Sequence, residues 1–287
     1  MDDDKVIGID IGGSHITAGI VDLKSREVIP TTLAREYVNS KDTAEKIIAV
    51  WAKVIDKLFN DHPQVKKKIG IAMPGPFDYE EGICLIKGVD KFESLFGLNI
   101  KKLLSDKLKI KDENILMMND ASCFLKGEIF GGAAVDCDNV LGITLGTGLG
   151  SARFHNGRIF DGDLYCSTFK NGTAEDYLSS RWFLKQYKEM TGRGVKNVKE
   201  LSEKISEEPD IENLFIEFGK NFGEVLSGYA QKHNCETIVI GGNIVNAWEL
   251  FFTETNSILN MLPKTVAVKK AALGEESALI GAASLWK

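Results

Sequence analysis

Cysteine is scarce in this 287-residue chain and nowhere clustered. Cys84, Cys123, Cys137, Cys166 and Cys235 never fall within ten residues of one another. With no C-x-x-C pair, neither a zinc knuckle nor a redox dithiol is indicated, and an odd, scattered set fits reduced thiols in a cytosolic protein. Long apolar runs are also missing. None approaches the roughly 20 residues that a membrane helix requires, so no membrane partner is expected. Basic residues are outnumbered, 35 Lys and Arg against 41 Asp and Glu, giving a net charge of −6 and a pI near 5.4. That balance argues against a nucleic-acid partner. The one basic run, Lys66 to Lys68, reads as a solvated helix end. The start, MDDDK, lacks the basic and apolar regions of a secretory signal. A cytoplasmic protein is expected.

A hydrophobic content of 44% beside 26% charged residues belongs to a globular chain with a sizeable core, in one large domain or two ordinary ones. The segment KVIGIDIGGSHITAGIV (5–21) overlays NVLGITLGTGLGSARF (139–154) without a gap, sharing Gly8/Gly142, Gly12/Gly146 and Ala18/Ala152. In both copies β-branched and apolar residues flank a glycine turn, which predicts strand, turn, strand. Helical spacing follows over 43–59, 99–108 and 122–130, then over 177–190, 213–233 and 277–286. Short strands are predicted at 68–73, 115–118 and 237–240. Hairpin, helix and strand thus occur in each half. The repeat implies two similar α/β domains, 1–118 and 119–287, with a cleft between them.

Glycines carry no side chain, so consecutive backbone N–H groups can close around phosphate oxygens. One such turn alone reads better as a tight hairpin; its recurrence at matched positions reverses that and favours phosphate. A dinucleotide fingerprint in Gly146, Gly148 and Gly150 would need a helix straight after the glycines, and strand-like sequence follows instead. Asp10 ends the first strand, where a carboxylate could hold a Mg²⁺ bridging phosphates or simply stabilise the turn. The second copy has Thr144 there. Asn119-Asp120 ends another strand and reads either as a helix N-cap or as a general base at a strand's C-terminal end.

The ordered set IGIDIGGSHITAGIVD, MPGPFD, MMNDA, LGTGLGSA, VIGGN and GEESALIGAASLW resembles the ROK family (repressors, open reading frames and sugar kinases) of the actin/hexokinase superfamily, over nearly the whole chain. The resemblance implies two ribonuclease-H-like (actin-like ATPase) α/β domains flanking a nucleotide cleft, and an ATP-dependent kinase of a hexose or hexose derivative. ATP would meet Gly12, Gly13 and Ser14 at the first turn, Gly146, Thr147 and Gly148 at the second, and Gly241 and Gly242 beneath the adenosine. Asp10 would hold Mg²⁺ through water, Asp120 would act as base, and Asn119, Gly75 and Glu175 would contact the sugar. Family habit also implies a homodimer.

Two departures fall on sugar recognition. The family's E-x-G-H and its four-ligand C-x-C-G-x-x-G-C-x-E zinc segment are replaced by GRIFDGDLYCSTFKNGTAEDYLSS, with Cys166 alone, so no zinc is expected. The family's asparagine–leucine pair after P-G-P is replaced by Lys91-Phe92. A lysine there suits an acidic sugar if it faces the site, or else solvent. Two other readings compete with a kinase: a non-catalytic sugar sensor, and a chaperone-like or cytoskeletal ATPase. With only Met1 to Lys5 ahead of the first strand, a DNA-binding repressor is not expected.

Overall fold

The alternation in the opening segment becomes a strand with two unlike faces. In the computed structural model, which describes residues 4–89 and 91–287, β1 (Lys5–Ile11) turns into β2 (His15–Asp22), followed by β3 (Glu27–Val28) and β4 (Ala34–Tyr37). Residues 1–3, part of the acidic start, lie outside the described residues. The chain continues as α1 (Ala44–Asp61), β5 (Ile69–Met73), a small ribbon of β6 (Phe77–Asp78) and β7 (Ile83–Cys84), α2 (Ile100–Leu108), β8 (Ile115–Asn119) and α3 (Asp120–Gly131). The sheet runs β3-β2-β1-β5-β8, with β1 antiparallel to β2 and parallel to β5, and β5 parallel to β8.

One face of this sheet is bulky. Ile7, Ile9 and Ile11 of β1 join Ile69 and Ile71 of β5 against Ile47, Trp51 and Ile55 of α1 and Leu104 of α2. Side chains alternate along a strand, so Gly8, Asp10, Gly70 and Ala72 fall on the other face. That face is thin, and two helices come close to it. A Cβ on Gly70 would run into the carbonyl of Ala282, in a terminal helix spanning Ser277–Ala283; a Cβ on Gly281 would run into the carbonyl of Cys123 in α3. Ala72, Cys123 and Ala282 fill what space remains.

The chain divides into two units: residues up to Val135 with Glu275–Lys287, and Asp136–Gly274. The boundary expected at 118/119 falls inside the first unit. Asn119 ends β8 and caps α3 without any linker, and α3 is packed at backbone distance on the terminal helix. Both helices therefore stay with the first sheet.

The second unit contains β9 (Asn139–Leu145), β10 (Leu149–His155), β11 (Arg158–Asp161), a ribbon of β12 (Thr168–Phe169) and β13 (Gly172–Thr173), α4 (Ala174–Tyr177), α5 (Ser180–Thr191), α6 (Val198–Glu203), α7 (Glu212–His233), β14 (Thr237–Gly241), α8 (Trp248–Leu259) and β15 (Ala267–Lys270). Its sheet, β11-β10-β9-β14-β15, has the order and strand directions of the first. The core is aromatic: Phe183, Phe215, Phe218, Phe222 and Phe251 are fully buried together. The helix predicted over 177–190 starts at Ser180, because Ser179 is extended (φ −136°, ψ 164°); Tyr177 instead ends the short α4 ahead of it. Among the described residues no helix is long and apolar enough to cross a membrane.

The repeat is real in topology but not gapless in register. The β1–β2 turn closes on the pair Ile11 and Ile16, whereas the β9–β10 turn closes on Leu145 and Leu149. The second turn is one residue shorter. Ala18 therefore faces Ile9, while its sequence counterpart Ala152 faces Gly142 rather than Ile143. A one-residue slip moves side chains to the opposite face, so the matching alanines are not structural equivalents.

Candidate active site

Parallel pairing brings the C-terminal ends of β1, β5 and β8 side by side, since Asp10 pairs with Ala72 and Met73 with Asn119. Asp10 is half-buried on the thin face. In register across the sheet it is followed by Thr17 of β2 and Arg35 of β4. Burial pushes the Asp10 carboxyl up to about 7, and the nearby Asp120 carboxylate acts in the same direction; the Arg35 guanidinium opposes them, while Glu275 adds to the rise. Arg35 itself pairs with Glu275 at 3.6 Å. Two carboxylates that disfavour each other's charge fit a divalent cation, which would relieve that cost. Among the described residues no group of three or more His, Cys, Asp or Glu is placed to hold a metal. Asp10 would therefore hold Mg²⁺ only together with water and phosphate oxygens, which leaves the role of base open to the Asp120 carboxylate.

Asp120 stands at the first position of α3. The helix starts here because Asn119 Oδ1 accepts the amides of Ala121 (3.0 Å) and Ser122 (3.2 Å), and Asp120 Oδ1 also accepts from Ala121 (2.9 Å). Asn119 is therefore an N-cap, as one of its two readings held. Its Nδ2 donates to the Tyr79 hydroxyl at 3.3 Å, and that hydroxyl donates to the Met73 carbonyl at 3.0 Å. Gly75 lies against the same pair: a Cβ there would sit 3.0 Å from Tyr79 Oη and 3.8 Å from Asn119 Nδ2. Its bond to Pro76 is cis. The first unit thus brings Gly75, Asn119 and Asp120 together, with Asp10 within electrostatic reach. Tyr79, Arg35 and Glu275 were not identified from sequence. A tyrosine five residues past a proline carries no pattern, and Arg35 enters only through strand pairing.

The first glycine turn is exposed. The Gly12 amide donates to the His15 carbonyl at 2.9 Å and so is engaged inside the turn; Gly13 and Ser14 lie between those two residues. The aliphatic chain of Lys91 lies 3.8 Å from where a Gly13 Cβ would be, so this lysine flanks the turn. The buried Phe92 anchors it, taking a left-handed conformation (φ 56°) and packing edge-on against Trp51.

At the second turn the Gly146 amide donates to the Gly148 carbonyl at 3.0 Å. The Gly146 carbonyl accepts both the amide and the hydroxyl of Ser180, each at 2.8 Å. Glu175 reaches the same turn from α4. This short helix starts on the Thr173–Asp176 pair, whose amide and hydroxyl both donate to Asp176 Oδ2 at 2.8 Å. Glu175 Oε2 accepts the Leu149 amide at 2.9 Å, and Oε1 pairs with Arg181. Gly241 pairs with Thr144 at the end of β14, and Gly242 (φ +92°) tucks under β9, where a Cβ would strike the Leu145 carbonyl. The turn, Gly241, Gly242 and Glu175 are thus collected in the second unit.

Lys170 Nζ donates to the buried Asn221 at 2.5 Å and lies over the rings of Phe169 and Tyr177, at 5.4 and 5.6 Å. Cys166 is exposed.

The model of the ROK family matches residues 6–287 of the chain. The glucokinase of Thermotoga maritima is 26% identical, covering 99% of this chain and 97% of its own. An N-acetyl-D-glucosamine kinase of Mannheimia succiniciproducens is 24% identical, with 97% and 98% covered. The fold is that of a ROK family glucokinase from Streptomyces griseus solved with glucose and AMPPNP (TM-score 0.79, 22% identity, 98% of both chains).

Proposed function

The chain belongs to the ROK family, and on that premise we propose that it is an ATP-dependent kinase acting on a hydroxyl of a hexose or hexose derivative. The observation that carries this reading is the Asp10–Asp120 pair at the ends of parallel strands, in the unit that also holds the exposed turn at Gly12, Gly13 and Ser14. Phosphoryl transfer needs little covalent chemistry from a protein; it needs positioning, charge neutralisation and a base.

In this reading Asp120 takes the proton of the sugar hydroxyl. That oxygen then forms a bond to the γ-phosphorus as the bond to the β-phosphate oxygen breaks, releasing ADP. Asp10 would hold Mg²⁺ through water, and the ion, when bound with the nucleotide, would supply charge neutralisation at the phosphates. Gly13 and Ser14 offer backbone amides to phosphate, as do Thr147 and Gly148, while Gly12 and Gly146 close their turns. Gly241 and Gly242 let the adenosine pass close to backbone. Gly75 and Asn119 border the sugar, with Tyr79 fixing both. Relatives named as a glucokinase and an N-acetyl-D-glucosamine kinase favour glucose or an N-acetylated hexosamine as the sugar, and a cytoplasmic homodimer belongs to the same proposal.

The test is ADP release coupled to sugar addition. Glucose, N-acetylglucosamine, N-acetylmannosamine and sugar acids are offered to the purified chain with Mg-ATP. Sugar-stimulated ADP is expected from at least one. Sugar binding without turnover across the panel would instead identify a sensor.

A further inference from the structure

Glu175 aligns with a residue expected to contact the sugar, yet the structure gives its carboxylate a different task. Oε2 accepts the Leu149 amide at 2.9 Å, at the exit of the second glycine turn. Oε1 pairs with Arg181 in the first turn of α5. The same oxygen that takes the Leu149 amide lies 2.5 Å from where a Cβ of residue 148 would be, so the carboxylate fits only because that residue is glycine. At the entry of the turn, Ser180 binds the Gly146 carbonyl twice. The turn is therefore gripped at both ends by one short stretch, 175–181.

We propose that Glu175 is a positioning residue for the nucleotide, acting through the Leu149 amide, and that Arg181 neutralises it there. A carboxylate beside a phosphate-binding turn repels the ligand unless a cation balances it. Arg181 supplies that cation, and its planar donors suit a carboxylate partner. The turn's amides can bind phosphate only if the loop is held in shape before ATP arrives, because ordering it on binding would weaken affinity. This inference rests on the kinase reading above.

The test separates nucleotide from sugar. Binding of AMPPNP with Mg²⁺, and of the best sugar from the panel, is measured by calorimetry on the full chain and on three variants. Glu175→Ala removes the acceptor for the Leu149 amide and is expected to weaken AMPPNP roughly tenfold, the scale of one hydrogen bond to a charged group. Glu175→Gln keeps an acceptor oxygen and is expected to restore AMPPNP affinity to within about threefold of the native chain, a neutral acceptor being the weaker partner. Arg181→Met leaves an unneutralised carboxylate and is expected to weaken AMPPNP by about threefold, in the range of exposed ion pairs. Sugar affinity should stay within about twofold throughout, below the loss of a single hydrogen bond. A sugar-contacting carboxylate would give the opposite split: both Glu175 variants would lose sugar affinity and keep AMPPNP. That result overturns the proposal, as does unchanged AMPPNP affinity in both Glu175→Ala and Arg181→Met. Should Glu175→Ala fold poorly, the exposed Arg181→Met carries the same comparison. A native chain that binds no nucleotide would sink the kinase reading itself, which is a separate outcome.

Discussion

Replacing Asp10 by asparagine should make the ligand-free protein more stable at alkaline pH while removing its activity. The Asp10 carboxyl is pushed from 3.8 to about 7 in the folded chain, first by burial and then by Asp120. The sign follows from where the proton is held more tightly. Below pH 3.8 both states are protonated; between 3.8 and 7 the folded state keeps a proton that the unfolded state has released. Stability from this group is therefore lost as pH rises through that window, and is flat above it. A shift of about three units corresponds to about 4 kcal/mol in full, of which roughly 2.5 kcal/mol falls between pH 5 and pH 8. Asparagine has a similar shape and nothing to ionise. In urea unfolding with a chelator present, Asp10→Asn minus native should thus be about 2.5 kcal/mol more favourable at pH 8 than at pH 5. Other titrating groups contribute to both proteins and cancel in this comparison. Mg-ATP should recover stability for the native chain at pH 8 and not for the variant. If the difference between the two proteins is the same at both pH values, Asp10 is not held at an elevated pKa and the account of the carboxylate pair fails.

Three other substitutions test neighbouring parts of the argument. Asp120→Asn should reduce turnover by at least about a hundredfold, the usual contribution of a general base, while AMPPNP still binds; retained turnover would remove Asp120 from the mechanism. Tyr79→Phe deletes the hydroxyl between the Met73 carbonyl and Asn119 and should raise the sugar KM about fivefold, the worth of roughly 1 kcal/mol, with the ATP KM unchanged. Gly70→Ala forces a methyl into the Ala282 carbonyl and should cost about 3 kcal/mol in urea unfolding, since neither backbone can move without shifting the terminal helix; a loss under about 1 kcal/mol would show a looser contact.

Most strands and long helices were legible because their patterns are simple. Ile7, Ile9 and Ile11 alternate with small residues, and α1 and α7 carry apolar stripes at helical spacing. The glycine turns and the strand-end carboxylates were legible for the same reason: each is a short local signal. What the pattern left out was set by contacts remote in sequence. The unit boundary depends on a helix at the end of the chain returning to β1, β5 and α3, which the close approaches at Gly8, Gly70, Gly127 and Gly281 hint at. The register slip depends on a turn one residue shorter, which a gapless overlay hides. Arg35 meets Asp10 across two strand pairings, and Glu175 meets Leu149 because α4 folds back onto the turn.

The two units solve a common problem differently on one topology. Each carries a glycine turn between its first two strands. In the first unit Asp10, next to the end of β1, faces a thin layer and a second carboxylate, so its charged form is disfavoured. The turn after it is exposed and flanked by a lysine. In the second unit Thr144 stands where Asp10 would be, and no charge develops at the strand end. There the carboxylate comes instead from Glu175, already neutralised by Arg181 and bonded to the turn. One turn thus lies beside an unbalanced pair of carboxylates, and the other beside a carboxylate that is balanced by a guanidinium and bonded to the turn. Cation-dependent stabilisation should accordingly trace to Asp10, whereas the shape of the second turn should trace to Glu175, Ser180 and Arg181.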